Sequence, residues 1–189
     1  PIYSEGADLK IVLPKGTENN ITCGAKNLEN GAITVKKGNL TIEGSGKLNI
    51  TASDQKNGIH CTKDVTVTSG EIIINAANHG IYGKEGLKVL NGKINITSGR
   101  FGLKSGDSPS EADPTNDIGL IEISGGIIDI TSGDNGIDVN GELKAYSSAI
   151  TVTSAQNGVK ANDKITVGKA RVKSLILITS GTDGLDSDT

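Results

Sequence analysis

Short runs in which apolar and polar residues alternate follow one another along most of the chain, and Gly, Asn, Asp and Ser separate them. Alternation with a period of two is the pattern of a β-strand that buries one face, and the separating residues favour turns. The 3.6-residue period of an amphipathic helix does not compete with this pattern. The sequence therefore predicts an all-β protein made of many short strands.

The alternating runs repeat at a fixed distance. Six of them share a motif in which a glycine precedes an aliphatic residue, and the glycines are Gly58, Gly80, Gly102, Gly136, Gly158 and Gly184. The steps between them are 22, 22, 34, 22 and 26 residues, so the repeat has 22 residues, with insertions of 12 and 4. Three short strands per repeat cannot bury an apolar face alone, so the repeats must stack. We predict a right-handed parallel β-helix, a three-faced solenoid of roughly seven coils.

The repeat defines two columns of side chains. The first, which we expect to point into the core, comprises Ile33, Ile59, Ile81, Leu103, Ile137, Val159 and Leu185. The next residue in each strand points to the other face. This second set, which we call the outward column, comprises Thr34, His60, Tyr82, Lys104, Asp138, Lys160 and Asp186. We expect the outward column to face solvent and to carry the function.

The repeat is less regular at three places. Residues 1–30 are predicted to be an irregular N-terminal capping segment, and the β-helix is predicted over 31–189. The insertion lies at 106–117 and leaves the rod just after Lys104. The sequence stops at DGLDSDT (183–189). Because this motif begins a new coil at its earlier occurrences, we expect more protein to follow it.

Charge and composition exclude some partners. The chain has 19 Lys and Arg against 22 Asp and Glu, scattered singly, and its net charge is −3. Nucleic acid or an anionic membrane would require a clustered basic face. No apolar run reaches the roughly 18 residues that a membrane span needs. Because Trp is absent, a flat aromatic platform for crystalline or neutral glycans is disfavoured.

The Cys and His residues are predicted to be structural. Cys23 and Cys61 fall at different positions in the repeat, which favours free buried thiols over a disulfide. His60 and His79 have no third ligand at a matching position, so ordinary polar surface residues are favoured over a zinc site.

Acidic residues are concentrated in the insertion and in the motifs DNGID and DGLDSD. Ca²⁺ takes oxygen ligands that Asp-rich loops supply, although a solvated loop explains the insertion equally well. The outward column also alternates in sign from Lys104 to Asp186, and such charge pairing explains the acids without an ion. The candidate Ca²⁺ ligands are Asp107, Asp113, Asp117, Asp134, Asp138, Asp183, Asp186 and Asp188.

Basic residues lie beside these acids in the predicted stack. The carboxylates of a polymeric acid sugar can pair with Arg or Lys and can bridge to a bound metal. We therefore predict an acidic polysaccharide as the partner, contacted by Tyr82, Arg100, Lys104 and Lys160.

Several runs resemble one protein family. They are ENGAITVKKGNLTIEGSGKL, NGIHCTKDVTVTSG, NHGIYGKEGLKV, FGLKS with an acidic insertion before IEISGG, and DGLDSD. Their order and the place of the insertion resemble the secreted bacterial, clostridial carbohydrate-binding β-helix domains related to pectate lyases. The resemblance covers about residues 8–189.

The resemblance implies a right-handed parallel β-helix that carries several Ca²⁺ ions and is secreted or displayed on the cell surface. It also implies affinity for polygalacturonate (pectin), with cellulose as a second candidate. Asp134, Asp138, Asp183, Asp186 and Asp188 match the family's D-x-G-I-D pattern. NGIHC and NHGIYG lack the acid pair, so calcium is not expected in the first coils.

The sequence thus predicts a non-catalytic, calcium-dependent binder of acidic polysaccharide, and two alternatives remain open. In a pectate-type lyase, Ca²⁺ would acidify the α-proton of a uronate, and an unprotonated Lys104, or next Lys160, would remove it. Both lysines lie next to Asp138 in the predicted stack, which favours the protonated form and makes a poor base. An ice-binding solenoid is the other alternative, because Thr recurs in one column, but a second regular Thr column is missing.

Overall fold

The computed structural model describes residues 1–107, 119–169 and 172–187, and within these ranges it contains 22 β-strands and no helix. The strands form three parallel sheets. Sheet A consists of β1 (Ile2–Glu5), β4 (Gly31–Lys36), β7 (Asn57–Cys61), β10 (Ile81–Gly83), β13 (Leu103–Ser105), β16 (Ile137–Val139), β19 (Val159–Ala161) and β22 (Leu185–Ser187). Sheet B consists of β2 (Leu9–Leu13), β5 (Leu40–Gly44), β8 (Asp64–Val67), β11 (Gly86–Val89), β14 (Leu120–Ile123), β17 (Glu142–Ala145) and β20 (Lys164–Val167). Sheet C consists of β3 (Glu18–Cys23), β6 (Lys47–Ala52), β9 (Glu71–Ala76), β12 (Lys93–Ser98), β15 (Ile127–Ser132), β18 (Ala149–Ser154) and β21 (Leu175–Ser180).

The backbone winds through the three sheets in turn, because every third strand of the chain enters the same sheet. Strands β1 to β21 make seven coils, and β22 starts another on sheet A. Ile59, Ile81 and Leu103 are partners in neighbouring strands, so these coils have the length that the step between the motif glycines predicts. The predicted all-β parallel β-helix is therefore confirmed.

The core is a set of aliphatic ladders that run along the rod. The predicted inward residues from Ile33 to Val159 are fully buried. Leu185 is exposed, because it lies on β22 at the edge of sheet A. Sheets B and C add further ladders, such as Leu87 beside Ile121 and Ile96 beside Ile130. Each buried aliphatic side chain contributes roughly 1.5–3 kcal/mol by the area it removes from water.

The N-terminal segment, 1–30, is more regular than the sequence analysis predicted. Strands β1, β2 and β3 pair in register with β4, β5 and β6, so this segment forms a complete coil. The prediction of an irregular segment was wrong because the repeat is longer here. The step from Ile2 to its partner Ile33 exceeds the step from Ile59 to Ile81, and the motif glycine is missing from β1.

Both cysteines are free, as predicted, although only Cys61 is buried and Cys23 is half-buried. The Cys61 thiol lies 3.3 Å from the carbonyl oxygens of Gly38 and Asp64. Burial raises the pKa of this thiol. Cys61 is therefore a small apolar core residue with a weak donor. The described ranges contain no helix that is long and apolar enough to cross a membrane.

Candidate functional site

The outward column forms in the predicted register along sheet A. Its members are consecutive partners from Thr34 on β4 to Asp186 on β22. Two of them are buried, contrary to the prediction: Thr34 is 0% and Tyr82 is 7% exposed. The Thr34 hydroxyl is hydrogen-bonded to the backbone of Gly31. The Tyr82 ring is covered by the rings of His60 and His79, with centroids at 5.1 and 5.8 Å.

A second row of side chains lies beside the outward column, at or just before the start of six strands of sheet A. We call it the turn column, and it comprises Asn57, His79, Phe101, Asn135, Asn157 and Asp183. Side-chain oxygens in this row accept hydrogen bonds from the next coil. Asn57 accepts from the His79 backbone N–H at 3.1 Å, and Asn135 accepts from that of Asn157 at 3.0 Å. Each member of the row directly precedes a motif glycine in the sequence, and this position could have predicted the row.

Aromatic rings of the turn column form a cluster that sequence reasoning missed. The His79 ring stacks on Phe101 with centroids 4.9 Å apart and an interplanar angle of 7°. The Lys104 ammonium lies 5.2 Å from the Phe101 centroid and 5.6 Å from that of Tyr82. The Arg100 guanidinium lies 5.0 Å from the Phe101 centroid. These distances allow cation–π attraction, which holds both cations over the rings.

The prediction that the histidines are ordinary surface residues was wrong for His79, whereas His60 is half-buried. His79 is 7% exposed. Burial, together with the positive charges of Lys104 and Arg100, lowers its pKa to about 3. Burial also lowers the pKa of His60. Both rings are therefore neutral at pH 7.

Acid is expected to destabilise the protein through His79. The unfolded chain has a histidine pKa near 6.5 and the folded chain one of about 3, so below pH 6.5 the unfolded state binds a proton that the folded state does not. The free energy of unfolding is thus highest above pH 6.5 and decreases as the pH falls toward 3. Between pH 7 and pH 5 the decrease is about 2 kcal/mol. Urea denaturation at several pH values measures this loss. The variant His79→Phe keeps an aromatic ring on Phe101 and should show a flatter pH dependence; an unchanged slope would contradict the assignment to His79.

The predicted cationic and acidic residues come together as ion pairs. The Lys104 Nζ lies 3.4 Å from an Asp138 oxygen, the Arg100 Nε 3.8 Å from Asp134, and the Lys160 Nζ 3.7 Å from Asp186. The amides of Asn135 and Asn157 donate hydrogen bonds of 2.7 Å to Asp138 and Asp186. Charge pairing, one of the two interpretations of these acids, is therefore present in the structure.

The insertion begins beside the Tyr82 side chain. Asp107, its first predicted ligand, accepts a hydrogen bond from the Tyr82 hydroxyl and lies 3.8 Å from the Lys84 ammonium. Asp113, Asp117 and Asp188 lie outside the described residues. Asp183 and Asp186 are on the coil of β22, and β19 separates them from Asp134 and Asp138. Two coil spacings amount to about 10 Å, so the two motif clusters do not form one site.

These side chains line a groove of about 540 Å³ on the sheet A side of the rod. It contains three cations and three carboxylates, namely Arg100, Lys104, Lys160, Asp107, Asp134 and Asp138. The aromatic cluster of His79, Tyr82 and Phe101 forms one part of its wall. Within the described ranges, no three acidic, His or Cys side chains converge closely enough to hold a metal ion. The groove is thus an extended polar surface with balanced charge, suited to an oxygen-rich ligand.

Comparison with known proteins gives two matches. A family model described as carbohydrate-binding domain-containing protein matches residues 1–144. The structure of a polysaccharide lyase-like protein from C. thermocellum, described as a gadolinium derivative, is similar with a TM-score of 0.71 and 26% sequence identity. The similarity covers 97% of this chain and 71% of that chain. No curated protein shows significant similarity to the sequence.

Proposed function

The chain belongs to the family of carbohydrate-binding domain-containing proteins, and we propose that its groove binds an acidic polysaccharide without cleaving it. The observation that carries this proposal is the row of cations, Arg100, Lys104 and Lys160, along one open groove. A linear polymer laid along the rod would meet them in succession. Lys104 and Lys160 are on β13 and β19, two coils apart, or about 10 Å.

The cations retain hydrogen-bonding capacity for a ligand. Their side chains are 56%, 15% and 36% exposed for Arg100, Lys104 and Lys160. Their distances to aspartate oxygens, 3.4–3.8 Å, exceed the roughly 2.7–2.9 Å of a strong charge-assisted hydrogen bond. The carboxylate of a uronate can therefore gain short hydrogen bonds that the aspartates do not take up. This difference supports an acidic sugar as the ligand.

Calcium dependence is a separate part of the proposal. Three carboxylates balance the three cations of the groove, so a polyanion gains little long-range attraction from the protein alone, and a divalent cation would supply it. The similar structure is described as a gadolinium derivative, and gadolinium is a hard cation as calcium is, which supports testing calcium here. Among the described residues, no three acidic, His or Cys side chains converge, so carbonyl, amide or water oxygens would have to complete the coordination of a calcium ion.

Replacing Asp138 tests the contact between the ligand and Lys104 in the absence of calcium. Asp138→Asn keeps an oxygen for the Asn135 amide but removes the charge beside Lys104. In EDTA, we expect this variant to bind oligogalacturonide about three- to tenfold more tightly, because the ligand carboxylate no longer competes with Asp138 for the ammonium. Calorimetry measures the affinity. Weaker binding in EDTA would contradict the proposed contact with Lys104. Asp129→Asn, on sheet C, is the matched control and should have no effect.

The position of Lys104 supports binding over catalysis by a lyase. Its ammonium is paired with Asp138 and lies over two aromatic rings, and each of these contacts requires the positive charge. A general base must be unprotonated. Incubation with polygalacturonate is therefore expected to produce no absorbance of unsaturated uronides, and its appearance would favour the lyase.

An extracellular location accompanies this proposal. A polysaccharide is too large to enter a cell, so a protein that binds it would meet it in the medium or at the cell surface. Cell fractionation with an antibody to the protein tests this location.

A further inference from the structure

A second cavity lies on the same side of the rod, on the coils before the groove. It has a volume of about 300 Å³, the lower end of the range for small-molecule pockets of about 300–1,000 Å³. His79 and Tyr82 line both this cavity and the groove, so the two adjoin. We call it the amide pocket, because four of its lining residues are Asn30, Gln55, Asn57 and Asn78.

The amide pocket differs from the groove in charge. No carboxylate lines it, and Lys56 is its one cation among the described residues. Its remaining groups are the amides, the Tyr82 ring, and the imidazoles of His60 and His79, which are neutral at pH 7. The groove, in contrast, is lined by six charged side chains. The two cavities therefore suit chemically different parts of a ligand.

Two atoms on the lining side chains have unmet hydrogen-bonding capacity. Asn78 Oδ1 and His79 Nδ1 have almost no solvent-accessible surface and no partner among the described residues, so a ligand reaches them after a rotation of each side chain about χ2. Buried polar atoms in proteins nearly always have a hydrogen-bond partner. An amide oxygen only accepts, so its partner must be a donor. A sugar hydroxyl donates and accepts, whereas a carboxylate only accepts.

We propose that the amide pocket holds one uncharged sugar residue of the bound polysaccharide, through hydroxyl groups that hydrogen-bond to Asn78 and His79. The inference rests on the proposed function, since the same polymer would continue from the pocket into the groove. The recognised polymer would then carry a neutral sugar next to its uronates, and the protein would distinguish such a polymer from a uniform polyuronate.

Nuclear magnetic resonance tests the pocket separately from the groove. The chain has two histidines, so their ring signals report on the pocket, and the backbone amide of Lys160 reports on the groove. The probes are neutral xylo- and galacto-oligosaccharides and, separately, trigalacturonate. A neutral oligosaccharide is expected to shift the ring signals of His60 and His79 and to leave the Lys160 amide unchanged. Trigalacturonate is expected to shift the Lys160 amide.

A pair of variants completes the test. Asn78→Leu removes an acceptor that has no protein partner among the described residues. The free energy of unfolding of this variant should therefore not be lower than that of the natural protein. It is expected to weaken neutral-sugar binding about three- to tenfold, the effect of one hydrogen bond. Asn95→Leu, on β12 of sheet C, should leave that binding unchanged.

The outcomes distinguish this inference from the proposed function. If trigalacturonate shifts Lys160 but no neutral sugar shifts the histidine rings, the pocket assignment is wrong and the groove stands. If Asn78→Leu binds neutral sugar as tightly as the natural protein, the pocket assignment is also wrong. If neutral sugar shifts the rings and trigalacturonate shifts nothing, the pocket stands and the acidic ligand of the groove is wrong.

Discussion

Gly80→Ala is expected to lower the free energy of unfolding by roughly 3 kcal/mol or more, since overpacking against backbone leaves little room to relax. An added Cβ at this position would lie 2.6 Å from the Gly102 carbonyl oxygen of the next coil and would overlap the Ile96 side chain. Gly80 is therefore required by the close approach of stacked coils. The same contact with the following motif glycine recurs at Gly58, Gly102, Gly136 and Gly158.

A matched control exists within the same motif. Gly184 occupies the equivalent position on the coil of β22, and a Cβ there would have no neighbour within 4 Å. In the 189-residue chain, Gly184→Ala should thus leave stability nearly unchanged. Chemical denaturation followed by circular dichroism measures both variants. Equal stability of the two would show that stacking does not explain the glycine motif.

The largest effect on binding is expected from removing two cations of the groove together. Arg100→Gln with Lys104→Gln should weaken binding of oligogalacturonide at least about 100-fold, because each charge-assisted hydrogen bond contributes about 1.5–3 kcal/mol. The variant also leaves Asp134 and Asp138 without their cationic partners, and these carboxylates would then repel a polyanion. Calorimetry gives the affinity, and circular dichroism confirms that the variant is folded.

The control for this variant replaces two cations on other sheets. Lys93 on β12 pairs with Glu71, and Lys144 on β17 pairs with Glu142. Lys93→Gln with Lys144→Gln makes the same change of net charge away from the groove. It should reduce affinity only slightly. A comparable loss in both double variants would mean that net charge, and not the groove, controls binding.

The fold could be predicted because its determinants are local and periodic. The 22-residue step that recurs between motif glycines predicts both the coil and its register, and the partners Ile59, Ile81 and Leu103 follow directly. The first coil was misjudged because the step from Ile2 to Ile33 is longer than the step from Ile59 to Ile81. A longer turn after β3 hides the repeat, although the strands themselves keep their alternation.

The site was predicted only in part. Register alone brings Lys104 beside Asp138, so the ion pair follows from the sequence. The burial of Tyr82 and His79 does not, because it depends on rings from the turn column that close over one another across coils. Alternation indicates which face of a strand a residue occupies, but it does not indicate what covers that face. Phe101 was missed for the same reason, since it lies in a turn and outside the strand pattern.

Calorimetric titration with oligogalacturonides, in calcium and in EDTA, tests most directly whether the groove is a binding site for acidic polysaccharide. Absorbance of unsaturated uronides is followed in the same samples. Our account predicts saturable binding that is tighter in calcium, with no rise in absorbance. No binding in either buffer would contradict the acidic ligand, and rising absorbance would contradict a non-catalytic role and make Lys104 the candidate base.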